Sequence, residues 1–179
     1  MPSPRVRSTP PRPTTATPAA PDAPDAPAVP GATARPSFRA LTDEECIALL
    51  DRHHVGRLAY AQQGHAHIVP IHYAHADGWL YGRTGPGAKL SALRHHPWVA
   101  FEVDEVDGTF EWRSVVARGA LYLLARQGPA AERARWERAV ALLREVVPGT
   151  LTVDDPTPER ATVFRIHISE LTGRMASSR

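Results

Sequence analysis

Two dipeptides constrain this chain more than any other feature: Gln63-Gly64 and Asp77-Gly78, each set between runs in which apolar and polar residues alternate. Asp-Gly in that setting is a strong two-residue hairpin signal, because both turn positions need positive φ and these residue types adopt it readily. The flanking runs, 55–61, 65–75 and 79–84, therefore read as an antiparallel meander. Gly85-Pro-Gly-Ala88 breaks the third run, and 89–96 reads as a short helix stopped by Pro97. Two further strands, 98–103 and 111–126, flank Asp107-Gly108, and the second is long enough to bend round a barrel. Trp136, Val140, Leu143 and Val147 lie at three- and four-residue steps along a helix over 130–147, and alternation returns in a closing strand over 162–171. Ahead of the meander, Thr42 and Glu45 form a capping box, with Asp43 and Glu44 in the first turn and Leu41 placed to staple onto Cys46. The pattern predicts a mainly β fold with peripheral helices: a small six-stranded antiparallel barrel.

Composition separates this body from what precedes it. Of 18 prolines, 11 fall in the first 36 residues, a stretch without a single aromatic. Such a segment buries too little apolar surface to offset its ordering entropy, so residues 1–36 are expected to be a disordered Pro/Ala-rich tail and 37–175 one domain. The tail carries four Arg and two Asp, leaving 17 basic and 17 acidic residues in the body. A neutral body lacks the field that non-specific nucleic-acid binding needs. Cys46 is the sole cysteine, so an intramolecular disulfide is excluded and the thiol reads as a buried small hydrophobe. No run approaches the length of a membrane span or a secretory signal core, and the expectation is a cytoplasmic protein without membrane or nucleic-acid partners.

Chemistry concentrates in Leu80-Tyr-Gly-Arg-Thr-Gly-Pro-Gly-Ala-Lys-Leu90, a strand, a glycine-rich break and a helix start. Free N–H groups at a helix N-terminus favour an anion, and glycine permits its close approach. Arg83 and Thr84 end the strand and Lys89, the only lysine of the chain, lies in the first helical turn. Charge-assisted hydrogen bonds contribute about 1.5–3 kcal/mol each, against about 0.3–1 for an exposed helix dipole, so the side chains should dominate a phosphate site here. The spacing is not a Walker loop, since Leu90 rather than Ser or Thr follows the lysine. His65 and His67 share a strand face, but no carboxylate or cysteine completes a metal set, and none is expected. His53, His54, His95 and His96 cluster at helix C-termini, where imidazolium suits the macrodipole. Trp79, Trp98 and Trp112 read as core or dimer-interface residues, and Glu132, Glu137 and Glu145 offset the arginines of the long helix. No Gly-x-Ser-x-Gly elbow supports a hydrolase.

Gly56-Arg-Leu-Ala59, Val69-Pro-Ile71, Tyr73, Tyr81-x-Arg-Thr84, Lys89-Leu90, Pro97, Val99-Ala-Phe101, Trp112-Arg-Ser-Val115 and Gly119 together resemble the pyridoxamine 5′-phosphate oxidase-like family of flavin-binding split barrels. The likeness runs over about residues 38 to 174 and is nearest the nitroimidazole-resistance, or flavin-nucleotide-binding, branch. It implies a split β-barrel homodimer with FMN at the subunit interface and a small-molecule substrate. By that resemblance the strand His67, Ile68, Val69, Pro70, Ile71 and His72 lies along the isoalloxazine, with residues 68–71 as an apolar ring face, while Arg83, Thr84 and Lys89 hold the phosphate. Ser114 would face the flavin from the long strand or across the dimer. The flavin would carry the redox chemistry, so no catalytic side chain is expected and the implied function is an FMN-dependent oxidoreductase. Two alternatives share the fold: a deazaflavin-dependent reductase, with Arg94 and Arg118 as extra cations, and a non-enzymatic flavin-binding or sensing protein. No tryptophan follows Trp136, whereas the vitamin-forming oxidases of the family complete their site with C-terminal Trp and Arg residues, which argues against pyridoxine phosphate oxidation.

Overall fold

A computed structural model of the chain describes residues 35–178. The tail expected over 1–36 lies outside the described residues except for its last two. The elements in order are β1 (Ser37–Ala40), α1 (Asp43–Arg52), β2 (Val55–Gln62), β3 (His65–Ala76), β4 (Trp79–Thr84), α2 (Ala88–His95), β5 (Trp98–Gly108), β6 (Glu111–Leu123), α3 (Ala130–Val146) and β7 (Thr162–Ser177). All pairings are antiparallel. The order β1-β7-β4-β3-β2-β5-β6, with β6 also paired to β7, closes six strands into a ring and leaves β1 as an added edge on β7.

Local chemistry explains most of these elements. Gln63 and Gly64 take φ of 51° and 78°, Asp77 and Gly78 take 51° and 74°, so both meander turns have the paired positive φ values of tight hairpins. Thr42 accepts from the Glu45 N–H while the Glu45 carboxylate accepts from the Thr42 N–H, completing the capping box of α1. Leu58, Phe101, Val103, Val115, Ala117 and Ile166, from four of the ring strands, are fully buried inside the barrel. Each of these side chains other than the small Ala117 contributes about 1.5–3 kcal/mol on burial. Tyr73, also inside, meets the Phe101 ring edge-on at 4.9 Å and donates its hydroxyl to Leu50 O at 2.7 Å, tying α1 to β3. Cys46 is buried in this core beside Gly173.

Three expectations are corrected. The β5–β6 turn lies at Thr109-Phe110, not at Asp107-Gly108, because a register shift between Val106 and Gly108 carries β5 past the Asp-Gly pair. The closing strand runs on to Ser177, since Gly173, Arg174, Met175 and Ala176 pair with β6 and the last three also with β1. Six strands form the ring, as expected, and β1, too short and exposed to show alternation, adds a seventh at its edge. Of the three tryptophans, none is in the buried core; Trp98 is 69% exposed.

α3 packs outside the ring. Ala139, Val140 and Leu143 bury against Tyr81 of β4 and Val163 of β7, so the helix hands the chain to the open end of β4, and residues 147–161 return it to β7.

Candidate functional site

The barrel is split where β3 and β4 part. Their pairing covers only residues 73–76 of β3 and 79–82 of β4, after which Arg83 and Thr84 stay paired to Val163 and Thr162 of β7. On its β4 side, β3 between His65 and His72 has no paired strand. Pro70, which has no N–H to offer, sits on this open stretch. The wedge is a cleft of about 360 Å³ lined by Val69, Pro70, Ile71, Arg83, Thr84, Gly85, Pro86, Lys89, Glu159 and Arg160. Gly85 lets the connection over 147–161 come close: a side chain there would begin 3.2 Å from Glu159 O.

Six of the sequence-derived site residues thus meet: Val69, Pro70, Ile71, Arg83, Thr84 and Lys89. Lys89 enters from the first turn of α2, whose N-cap, Gly87, has φ 143° and open space before it. The first N–H groups of a helix have no partner within it, so Ala88 and Lys89 present free donors there. Burial and the neighbouring Arg160 cation both push the Lys89 ammonium below its ordinary pKa. Among the described residues the ammonium has no hydrogen-bond or ion-pair partner. Three cations line the cleft, Arg83, Lys89 and Arg160, and the one carboxylate on its lining, Glu159, lies a loose 3.8 Å from Arg160 on the exposed rim.

Arg83 differs from the expectation that it is a free anion ligand. It is buried, and its Nη1 and Nη2 donate to the two carboxylate oxygens of Asp155 at 2.5 and 2.8 Å, with Nη2 also donating to Thr157 Oγ1 at 2.8 Å. The guanidinium, helped by the Thr157 and Leu151 N–H groups, holds the Asp155 carboxyl well below the usual carboxylate range. Thr84 is buried beside it.

The remaining site residues lie elsewhere. Strand alternation splits residues 67–72, putting Ile68, Pro70 and His72 outside and turning Val69 and Ile71 toward the core, so 68–71 do not form one apolar face. Ile68 is 64% exposed, and His67 stacks on Tyr60 at 5.2 Å. His72 lines a second cleft of about 360 Å³ with Val147, Pro156, Thr157 and the shared wall of Arg83 and Arg160. Ser114 is on the outer face of β6, donating to Glu102 Oε1 at 3.2 Å, away from the cleft. Arg118 is ion-paired with Glu170 at 2.8 Å, and neither it nor Arg94 lines the cleft. Sequence reasoning missed Asp155 and Arg160. Asp154-Asp155 in a Pro-rich connection, Pro148 to Pro158, was the available signal, but nothing local ties it to Arg83, 72 residues away.

A split ring of six antiparallel strands, with a cationic wedge at the parting of two of them, defines the class. The model of the pyridoxamine 5′-phosphate oxidase family matches residues 42–175, about three quarters of the chain. The chain is 32% identical over 146 residues to the uncharacterized protein RA0666 of Rhizobium meliloti, a match covering 77% of this chain and 95% of that one. It is similar to the crystal structure of an FAD-binding protein from Mesorhizobium loti, with 32% identity, a TM-score of 0.64, and coverage of 80% of this chain and 99% of that chain. A protein of Bacteroides thetaiotaomicron assigned to 5-nitroimidazole antibiotic resistance shares the fold at 14% identity and a TM-score of 0.59, over 79% of this chain and 89% of its own. The chain belongs to the pyridoxamine 5′-phosphate oxidase family.

Proposed function

We propose that this cleft holds the phosphate of a flavin nucleotide, FMN in the simplest case, and that the protein is a flavin-dependent oxidoreductase acting on a small molecule. The single observation that carries the reading is Lys89: a part-buried ammonium at a glycine-opened helix start, without a counterion among the described residues. A phosphate dianion supplies what that environment lacks, and the first N–H groups of α2 complete its hydrogen bonding. The FAD-binding relative from Mesorhizobium loti supports a flavin and leaves FMN and FAD both compatible with the phosphate site.

The open stretch of β3 follows from the same wedge. Backbone groups of residues 67–72 that have no strand on the β4 side are available to the polar edge of a heterocycle, and Ile68 and Pro70 offer an outward apolar surface. When bound, a flavin supplies reversible electron or hydride transfer; the chain orients it, anchors its phosphate and excludes water. A homodimer belongs to this reading. Ile68, Ala59 and Ala100 are neighbours in one outward row across β3, β2 and β5, with exposed Trp98 close by, and a second copy would cover that surface while bringing its own outer face, Ser114 included, toward the cofactor.

The decisive experiment is the visible spectrum and mass of whatever co-purifies with the full-length chain, followed by titration of the stripped protein with FMN and FAD. Oxidised-flavin bands and saturable binding are the expected result, and stopped-flow reduction by NADH or NADPH then tests turnover. A colourless protein that takes up neither nucleotide would remove the proposal.

A further inference from the structure

We propose that Arg160 is the second phosphate-binding cation of the cleft and that Asp155, held by Arg83 and acting through Thr157, is the positioning residue that places it. The inference rests on the flavin-phosphate reading for its ligand.

A guanidinium at the end of β4 is the obvious anion ligand by sequence, yet three of its five N–H donors are already taken by protein. Asp155 takes Nη1 and Nη2 in a two-pronged pair at 2.5 and 2.8 Å, and Thr157 Oγ1 takes a third bond at 2.8 Å. Side-chain exposure of 7% for Arg83 and 2% for Asp155 leaves the pair little contact with solvent. A carboxylate already seated on the fork must be displaced before a phosphate can use it, and a buried carboxylate so displaced would have no other cation within its network. Arg83 is therefore better suited to holding protein than to holding ligand.

What it holds is the 147–161 connection. Besides the arginine, Asp155 accepts from Leu151 N at 2.7 Å and from Thr157 N at 2.9 Å, so one carboxylate fixes two points of the segment's backbone. Leu151 is kept at φ 55°, a left-handed conformation that a bulky side chain adopts only where its surroundings over-determine it. Three residues beyond Thr157, the Arg160 N–H donates to Thr157 O at 3.0 Å, a turn after which Arg160 lines the same cleft as Lys89. The order of control is Arg83, Asp155, Thr157, Arg160. Arg160 and Lys89 repel each other within the cleft, and an anion between them would remove that repulsion and be held by both.

The test uses the full-length chain with FMN and with riboflavin, which offers the same ring system without the phosphate. Wild type is expected to prefer FMN. Arg160→Ala, on the exposed connection, should weaken FMN about tenfold and leave riboflavin unchanged. Asp155→Asn should lose a similar part of the FMN preference, and the Arg160→Ala/Asp155→Asn pair should lose no more than Arg160→Ala alone, because both changes remove one contact. If Asp155→Asn does not fold, Thr157→Val, which removes only the hydroxyl, should show a smaller loss in the same direction. Unchanged FMN affinity in Arg160→Ala overturns the inference, as does an Asp155 variant that weakens riboflavin as much as FMN. A wild type that binds neither flavin refutes the flavin reading separately. Calorimetric titration with inorganic phosphate then decides Arg160: about tenfold weaker binding in Arg160→Ala upholds its role, and equal binding or none in wild type overturns it.

Discussion

The β2–β3–β4 meander and the 147–161 connection meet at one cleft, but different forces hold them there. The meander is shaped by its own turns, Gln63-Gly64 and Asp77-Gly78, and by side chains such as Leu58, Tyr73 and Leu80 that fill the barrel. The connection has no such core of its own; Thr150 and Leu151 lean on α3, and the rest depends on one carboxylate, Asp155, in a buried pair with Arg83. The difference teaches where this site is robust and where it is brittle. Loss of a meander contact is shared among neighbours, whereas loss of the Arg83–Asp155 pair strands a buried charge and frees a whole segment.

The largest expected effect follows from that asymmetry. Asp155→Ala should lower stability by about 3–5 kcal/mol, because the Arg83 guanidinium stays buried without a counterion. Arg83→Met/Asp155→Leu, which replaces both charges by apolar groups, should recover most of the loss in thermal melting. If the two variants melt alike, the connection is not held by this pair. The pH dependence has a definite sign. A carboxyl whose folded pKa lies below its unfolded value stabilises the fold above the unfolded value, and that contribution is lost as pH falls through the folded one. Melting temperature should therefore hold through mild acid and fall only below the usual carboxylate range, and Arg83→Met/Asp155→Leu should flatten that fall.

Next comes the ligand side of the comparison. Lys89→Ala should weaken FMN by one to two powers of ten, corresponding to about 1.5–3 kcal/mol for a charge-assisted contact, with little change in melting since no described residue pairs with the ammonium. Fluorescence titration with FMN and riboflavin in parallel checks this, and equal losses for both would remove Lys89 from the phosphate site. Lys89→Arg sharpens the point: a planar guanidinium at a position reached by a compact ammonium should restore part of the affinity.

The same division explains what could be read from residue order. Turn dipeptides, the Thr42–Glu45 box and period-two runs act over a few residues, so β2, β3, β4 and α1 and the placing of Lys89 at a helix start were legible. The β5–β6 turn was misplaced because a bulge near Gly108 overrode a good Asp-Gly signal, and β7 was cut short because Gly173 interrupts its alternation where it packs on Cys46 and Leu41. The pleat divides residues 68–71, turning Ile68 and Pro70 outward and Val69 and Ile71 inward, yet at the parting of β3 from β4 Val69, Pro70 and Ile71 all line the cleft. Asp155 and Arg160 were invisible because only closure of β7 onto β4 brings their segment to Arg83.

The smallest effect tests the meander half of the contrast. Gly78 is the second turn residue of β3–β4, at φ 74°, and an alanine there would meet no atom within 4 Å, so the cost is conformational alone. Gly78→Ala should lower stability by about 1–2 kcal/mol, the penalty of one L-residue in the left-handed region, read as a shift in the urea midpoint with unchanged slope. FMN affinity should not move, since the turn lies at the far end of β3 from the cleft and Tyr73–Ala76 keep their register with β4. An accompanying loss of FMN binding would mean that the split of β3 from β4 is set by the turn rather than by the wedge residues, and the two halves of the site would then have to be treated as one cooperative unit.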